Sequence, residues 1–191
     1  MPLSDADRQY LLKLARESIA RHLRGEEPPP VDSDALPETL RGDGACFITL
    51  TKRGELRGCI GSLKARRLLV EDVRENAVAA ALHDPRFPPV STKELDDLHV
   101  EVSILNAPQP LSYDDSDDLI AKLRPGVDGV VIESGWNRAT FLPQVWDKLP
   151  APHQFLEQLC RKAYLPDDAY RKPGLDVYVY QVEKFKEKDE E

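Results

Sequence analysis

The stretch ACFITLTKRGELRGCIG, residues 45–61, decides the fold. Two β-rich runs, 45–51 and 56–61, flank Lys52-Arg53-Gly54-Glu55. Gly54 can take the positive φ that a tight turn demands, and Lys52 and Glu55 can face each other across it. The stretch therefore predicts an antiparallel hairpin. With Arg53-Gly54 as its loop, Leu50 falls opposite Arg57, Thr49 opposite Gly58 and Ile48 opposite Cys59. Alternation then puts Arg57, Cys59 and Gly61 on one face, and Leu56, Gly58 and Ile60 on the other. A slip of one residue would invert the partner strand. In this register Cys46 lies diagonally from Cys59 on the same face, close enough for a regulatory disulfide.

Working outward, Ser4 can cap a helix with Asp5 and Asp7 in its first turn. Tyr10, Leu11, Leu14, Ala15, Ile19 and Leu23 recur at helical spacing up to Gly25 and the prolines 28–30. Residues 36–43 read as loop. Residues 68–82 predict a helix with an alanine-rich inner stripe. Asp84-Pro85-Arg86-Phe87-Pro88-Pro89 cannot continue it and forms a stiff loop. Ser91 begins a short turn, and 98–105 (LHVEVSIL) is a strand with Leu98, Val100, Val102 and Ile104 on one face and His99, Glu101 and Ser103 on the other. A short helix at 115–123, strands at 127–133 and 136–141, helical segments at 143–149 and 152–164, and a strand at 177–180 follow. Strands and helices mix without a regular βαβ repeat, which predicts an α+β fold with a largely antiparallel sheet and packed helices. Residues 1–183 read as one domain, and 184–191 as a charged, mobile tail.

The chain has 191 residues, enough for a proper core, and its 41% hydrophobic and 31% charged content fits a globular protein. Lys and Arg number 26 against 34 Asp and Glu, a net charge of −8, which argues against a phosphate-backbone binder. No apolar run approaches the roughly 20 residues of a membrane span, and the N-terminus lacks signal-peptide character, so a cytoplasmic location is expected. Three cysteines, Cys46, Cys59 and Cys160, form neither a disulfide framework nor a zinc pattern, and the scattered histidines suggest no metal site. Walker A, GxGxxG, GxSxG and radical-enzyme cluster motifs are missing, so this chain is not expected to be a radical enzyme itself, and its cofactor is left open.

LRGCIGSL (56–63), preceded by FITL, resembles the signature of the AMMECR domain family, often called AmmeMemoRadiSam system protein A in bacteria and archaea. The resemblance continues through Ala79-Ala80-Ala81, DPRFPPV (84–90), EVSIL (101–105), PGVDGVVIE (125–133), ATFLPQVW (139–146) and FLEQLCRKA (155–163). It covers nearly the whole chain after about residue 10. It implies a compact α+β domain with a main lobe and a smaller one, and association with a Memo-like protein and a radical S-adenosylmethionine protein. The chain is expected to work beside that radical enzyme, and the resemblance brings no established reaction. Tyr164 departs from the family, which often has Gly after LCRKA, and His83 is outside the motif.

Cys59 reads either as a thiol activated by a nearby cation, Arg57, or as a small buried hydrophobe beside the close-packing Gly58 and Gly61. A guanidinium on an apolar strand must find a carboxylate, carbonyls or an anion, and Glu101 is the expected partner of Arg57. The two form either a structural pair or the walls of a polar pocket. Asp84 and Arg86 either carry function on a rigid loop or tether that loop. Gln144 either points into a cleft or sits in a helical first turn after Pro143. These residues define a candidate site, with Cys59 and Glu101 in the chemical roles and Arg57, Gly58, Gly61, Asp84, Arg86 and Gln144 as ligand contacts. The expected function is a component of a modification pathway that binds a small or anionic ligand. The rival is a non-catalytic adaptor presenting LRGCIG and DPRF to partner proteins, and nucleic-acid binding ranks last.

Overall fold

A computed structural model describes residues 2–188. Arg53 and Gly54 both take left-handed backbone, with φ of 53° and 80°. That is the geometry of a two-residue hairpin loop. They join β1 (Ala45–Lys52) to β2 (Glu55–Gly61), with Lys52 opposite Glu55 as the sequence predicts. Beyond the turn the register departs from expectation. Thr51 pairs with Leu56 but Leu50 pairs with Gly58, so Arg57 is the extra residue of a β-bulge.

Every later pairing shifts by one: Leu50 faces Gly58, Thr49 faces Cys59 and Ile48 faces Ile60. The shift corrects the faces. Gly58 and Ile60 share the face of Leu50 and Ile48, while Leu56 joins Thr51 and is 42% exposed. Cys59 and Cys46 lie on opposite faces, because Cys59 partners Thr49 and Cys46 alternates with it. The same-face placement that a regulatory disulfide between them would need is therefore not found.

β3 (Leu98–Leu105) pairs antiparallel with β1, and the sheet runs β2-β1-β3-β8, with β8 spanning Val182–Lys186. One face is covered by α1 (Asp5–Leu23) and α2 (Leu69–Leu82). Ser4 caps α1 through a reciprocal pair with Asp7, as its sequence signals. Leu11, Leu12, Leu14, Ala15 and Ile19 enter the core, whereas Tyr10 remains 36% exposed. Opposite them lie Val70, Val73, Ala77, Ala80 and Ala81 of α2 with Ile48, Leu50, Val100 and Val102 of the sheet. Each fully buried branched side chain there contributes about 1.5–3 kcal/mol, and the alanines let α2 lie close on the sheet. Gly58 completes that approach: a Cβ on it would stand 2.1 Å from the Ala80 carbonyl oxygen.

A second unit comprises Asn106–Val182; the first holds residues up to Leu105 and the segment from Glu183. The second unit contains its own four-stranded sheet, ordered β4 (Gln109–Pro110), β7 (Asp176–Tyr180), β5 (Gly129–Ser134), β6 (Asn137–Phe141). Its neighbouring strands β4 and β7, β7 and β5, and β5 and β6 all pair antiparallel. α3 (Ser116–Lys122) and α4 (Pro152–Lys162) complete it, with Phe155, Leu156, Leu159 and Cys160 of α4 buried as their spacing predicts. Trp146 stacks on Phe155 at 3.7 Å and donates its indole N–H to the Asp128 carbonyl at 2.7 Å.

The first part of the expected tail is built into the sheet. Residues 184–186 belong to β8, which is fixed to α1 where Arg8 meets Glu183 at 2.8 Å and Arg16 meets Glu187 at 2.5 Å. The end of the expected tail, 189–191, lies outside the described residues. No described helix is long and apolar enough to cross a membrane. The α+β class with antiparallel sheets is as the sequence predicts.

Candidate functional site

Of the candidate residues of the first unit, Arg57, Gly58, Cys59 and Gly61 lie on β2, the outermost strand of its sheet, Asp84 and Arg86 reach its edge, and Glu101 lies two strands away on β3. Cys59 is half-buried and turns its side chain away from the helices. Its sulfur lies 3.2 Å from Thr49 Oγ1 on the neighbouring strand, and Thr49 is in turn opposite Glu101 of β3. Thiol, hydroxyl and carboxylate thus occupy one cross-strand row. On the outer edge, the Cys59 backbone N–H donates to Asp84 Oδ2 at 2.9 Å, and Arg86 Nη2 stands 3.5 Å from the Cys59 carbonyl oxygen.

Asp84 is buried where α2 gives way to the proline-bounded loop. Besides the Cys59 amide, it accepts from the Arg86 backbone N–H at 3.1 Å, from Nε at 3.0 Å and from Nη2 at 2.7 Å. The Arg86 hydrogen bonds, reinforced by the Cys59 amide, hold its carboxyl well below the usual carboxylate range. One carboxylate therefore fixes both the cysteine backbone and the guanidinium beside it. The Arg86 side chain remains 55% exposed. Its Nη1 makes no hydrogen bond among the described residues.

The expected Arg57–Glu101 pair does not form. The bulge aims Arg57 along the strand edge, where Nε and Nη2 donate to Glu94 at 3.1 and 3.3 Å and Nη1 donates to the Pro88 carbonyl at 2.9 Å. Glu94 also receives Lys52 at 3.0 Å and the Ser91 N–H at 2.9 Å. These donors, Arg57 first, bring its carboxyl down to about 2. Glu101 instead faces Lys184 of β8 at 3.7 Å. The cation that accompanies the thiol is thus Arg86, not Arg57.

Of the other candidates, Gly58 faces α2, on the side away from the thiol. Gly61 lies under the Phe47 ring, whose Cγ would be 2.3 Å from an added Cβ. Gln144 is exposed on the 3-10 turn Pro143–Asp147 of the second unit. Sequence reasoning missed Thr49 and Glu94. The signal for Glu94, Ser91 followed three residues later by Glu, was visible as a capping box, and the structure bears that box out. Its second task, receiving Arg57, had no local mark. Among the described residues no three His, Cys, Asp or Glu side chains are grouped to hold a metal ion.

This arrangement sits on a sheet edge formed by the LRGCIG and DPRF segments, and those segments fall inside a match of residues 12–185 to the AMMECR1 family model. The chain belongs to the AMMECR1 family. A protein of Methanothermobacter thermautotrophicus is 42% identical to this AMMECR1 chain over 191 residues, covering 97% of each. Protein MJ0810 of Methanocaldococcus jannaschii is 36% identical, covering 93% of this chain and 89% of its own. The crystal structure of the uncharacterised Pyrococcus horikoshii protein PH0010 superposes with a TM-score of 0.80 at 34% identity, covering 94% of this chain and 90% of that one. The AMMECR1 fold is therefore shared by sequence and by structure.

Proposed function

We propose that this AMMECR1 chain is a component of a modification pathway, working with Memo-like and radical S-adenosylmethionine proteins as its motifs imply. The edge of β2 is its ligand site. Arg86 recognises a small anionic group, and Cys59 and Glu101 supply the chemical groups nearby. Asp84 positions both Cys59 and Arg86, and Arg57 holds the DPRF loop through Pro88. The observation that carries this reading is the Arg86 guanidinium, locked by Asp84 against the Cys59 backbone yet 55% exposed. Such a pre-set planar donor suits a carboxylate or phosphate, because little freedom is lost on binding. The sulfur beside it, contacted by a hydroxyl rather than sealed in hydrocarbon, is available to the same ligand.

A second reading has an observation of its own. Asp84 and Arg86 occupy the backbone groups of Cys59 as an added strand would, and Arg57 binds the same loop. Covering an edge strand is an architectural task, which favours an adaptor that presents this face to partners. Metabolite comparison in cells carrying wild-type, Cys59→Ser or Arg86→Ala protein separates the two. The ligand-site reading expects both variants to accumulate the same compound. If Cys59→Ser is silent while Arg86→Ala abolishes partner binding, the adaptor reading replaces it.

A further inference from the structure

Residues 51–67 carry six cations, Lys52, Arg53, Arg57, Lys64, Arg66 and Arg67, against the single acid Glu55, a net of +5 in a chain of net −8. Four of the six are neutralised inside the first unit. Lys52 and Arg57 meet Glu94 at 3.0 and 3.1 Å, and Arg53 meets Asp97 at 3.4 Å. Arg67 meets Asp72 at 3.2 Å and also contacts Glu75. Lys64 and Arg66 are exposed, and neither has an ion pair or hydrogen bond among the described residues. Between β2 and α2 they flank Ala65, directly after Leu63, which is itself 45% exposed.

The loop that presents these side chains is held at both ends. Ser62 N–H donates to the Cys46 carbonyl at 2.9 Å, and its hydroxyl donates to Asp72 at 2.7 Å. At the other end the Arg67 carbonyl accepts the Gly44 N–H at 3.1 Å, while its guanidinium reaches the same Asp72. Asp72 is buried and also accepts the Cys46 N–H and the Asn76 amide, each at 2.9 Å. A buried carboxylate with this many donors is a rigid anchor, because moving it would strand several polar groups. Leu63, Lys64 and Arg66 are thus displayed from fixed ends, and a partner pays less to order them.

We propose that the loop between β2 and α2 is a docking element for an acidic segment of a partner protein that carries an aliphatic side chain. An exposed leucine beside two unpartnered cations fits a carboxylate-rich chain whose apolar residue covers Leu63, the usual division between an apolar centre and a charged rim. A nucleic acid fits it less well. Only two cations are free, the neighbouring four are already matched by carboxylates, and Leu63 offers no ring for a base to stack on. This inference goes beyond the ligand site and does not depend on the chemistry of Cys59.

The test uses the full chain and a fluorescein-labelled peptide of alternating Glu and Leu, titrated by anisotropy at low and at physiological salt. Wild type is expected to bind, with affinity falling about tenfold in Lys64→Glu/Arg66→Glu. Leu63→Ser weakens binding independently, a Lys/Leu peptide does not bind, and circular dichroism of the variants is unchanged. A control of equal charge change elsewhere, Lys93→Glu/Lys148→Glu, leaves the affinity as it was. No binding at low salt, or equal losses in control and loop variants, overturns the proposal. So does tighter binding of a single-stranded oligonucleotide that the loop variant removes, or self-association of wild type through the same residues. The alkylation rate of Cys59 stays constant throughout, so failure here is distinct from failure of the ligand-site reading.

Discussion

Gly58 has no freedom to become anything larger. Its missing Cβ is the space through which α2 approaches β2, and the nearest obstacle is the Ala80 backbone, which no rotamer change can move. Gly58→Ala is expected to destabilise the protein by about 2–4 kcal/mol, read as a lower urea midpoint with unchanged slope. The thiols differ just as clearly. Cys46 is fully buried, and burial, with the Asp72 charge beside it, pushes its thiol far up. Cys59 is half-buried with the Thr49 hydroxyl 3.2 Å from its sulfur. Iodoacetamide at neutral pH should therefore modify Cys59 at least about tenfold faster than Cys46 in the native protein. Peptide mapping after timed quenching measures this directly, and equal rates would contradict the assigned faces of the sheet.

Elements carry a different kind of information. At the hairpin tip Gly54 has φ of 80° and nothing within 4 Å of an added Cβ, so the cost of Gly54→Ala is conformational alone, about 1 kcal/mol. Asp72 at the start of α2 is worth more, because its removal leaves the Cys46 amide and the Ser62 hydroxyl without their acceptor and takes one partner each from Asn76 and Arg67. Asp72→Ala should cost about 3–5 kcal/mol, and thermal unfolding of the two variants side by side gives the ranking. The turn was legible from Arg53-Gly54, and the capped start of α1 from Ser4 and Asp7. The bulge at Arg57 was not, since an inserted residue alters pairing without altering the alternation visible in one strand. That single residue also misdirected the expected Arg57–Glu101 pair and the expected Cys46–Cys59 neighbourhood. The list of polar residues was readable, but their partners depend on which strand edge and which loop meet. The 41 residues between Cys46 and Pro88 contain no cue for that meeting.

For the whole molecule, the clearest consequence is a loss of stability in acid. Glu94 is shifted from 4.5 to about 2, so it is more acidic folded than unfolded. Its contribution is complete above the unfolded value, shrinks as pH falls through that value toward 2, and is gone below. Asp84 is shifted in the same direction. Urea midpoints should therefore decline between pH 4.5 and 2. Glu94→Gln should flatten that decline while lowering stability at neutral pH by about 2 kcal/mol, since Arg57 keeps its burial and loses its counter-charge. The placement of Cys46 and Cys59 on opposite sides of one sheet reaches further. The layer of strands separates the two sulfurs as an insulator separates two wires. When peroxide oxidises Cys59 to a sulfenate, the group meets no second thiol within its own unit, so a small external thiol resolves it, forming the S–S bond and releasing water. Oxidised protein then carries a mixed-disulfide adduct on the β2 edge, and reduction of that adduct rather than of an internal crosslink restores the native chain.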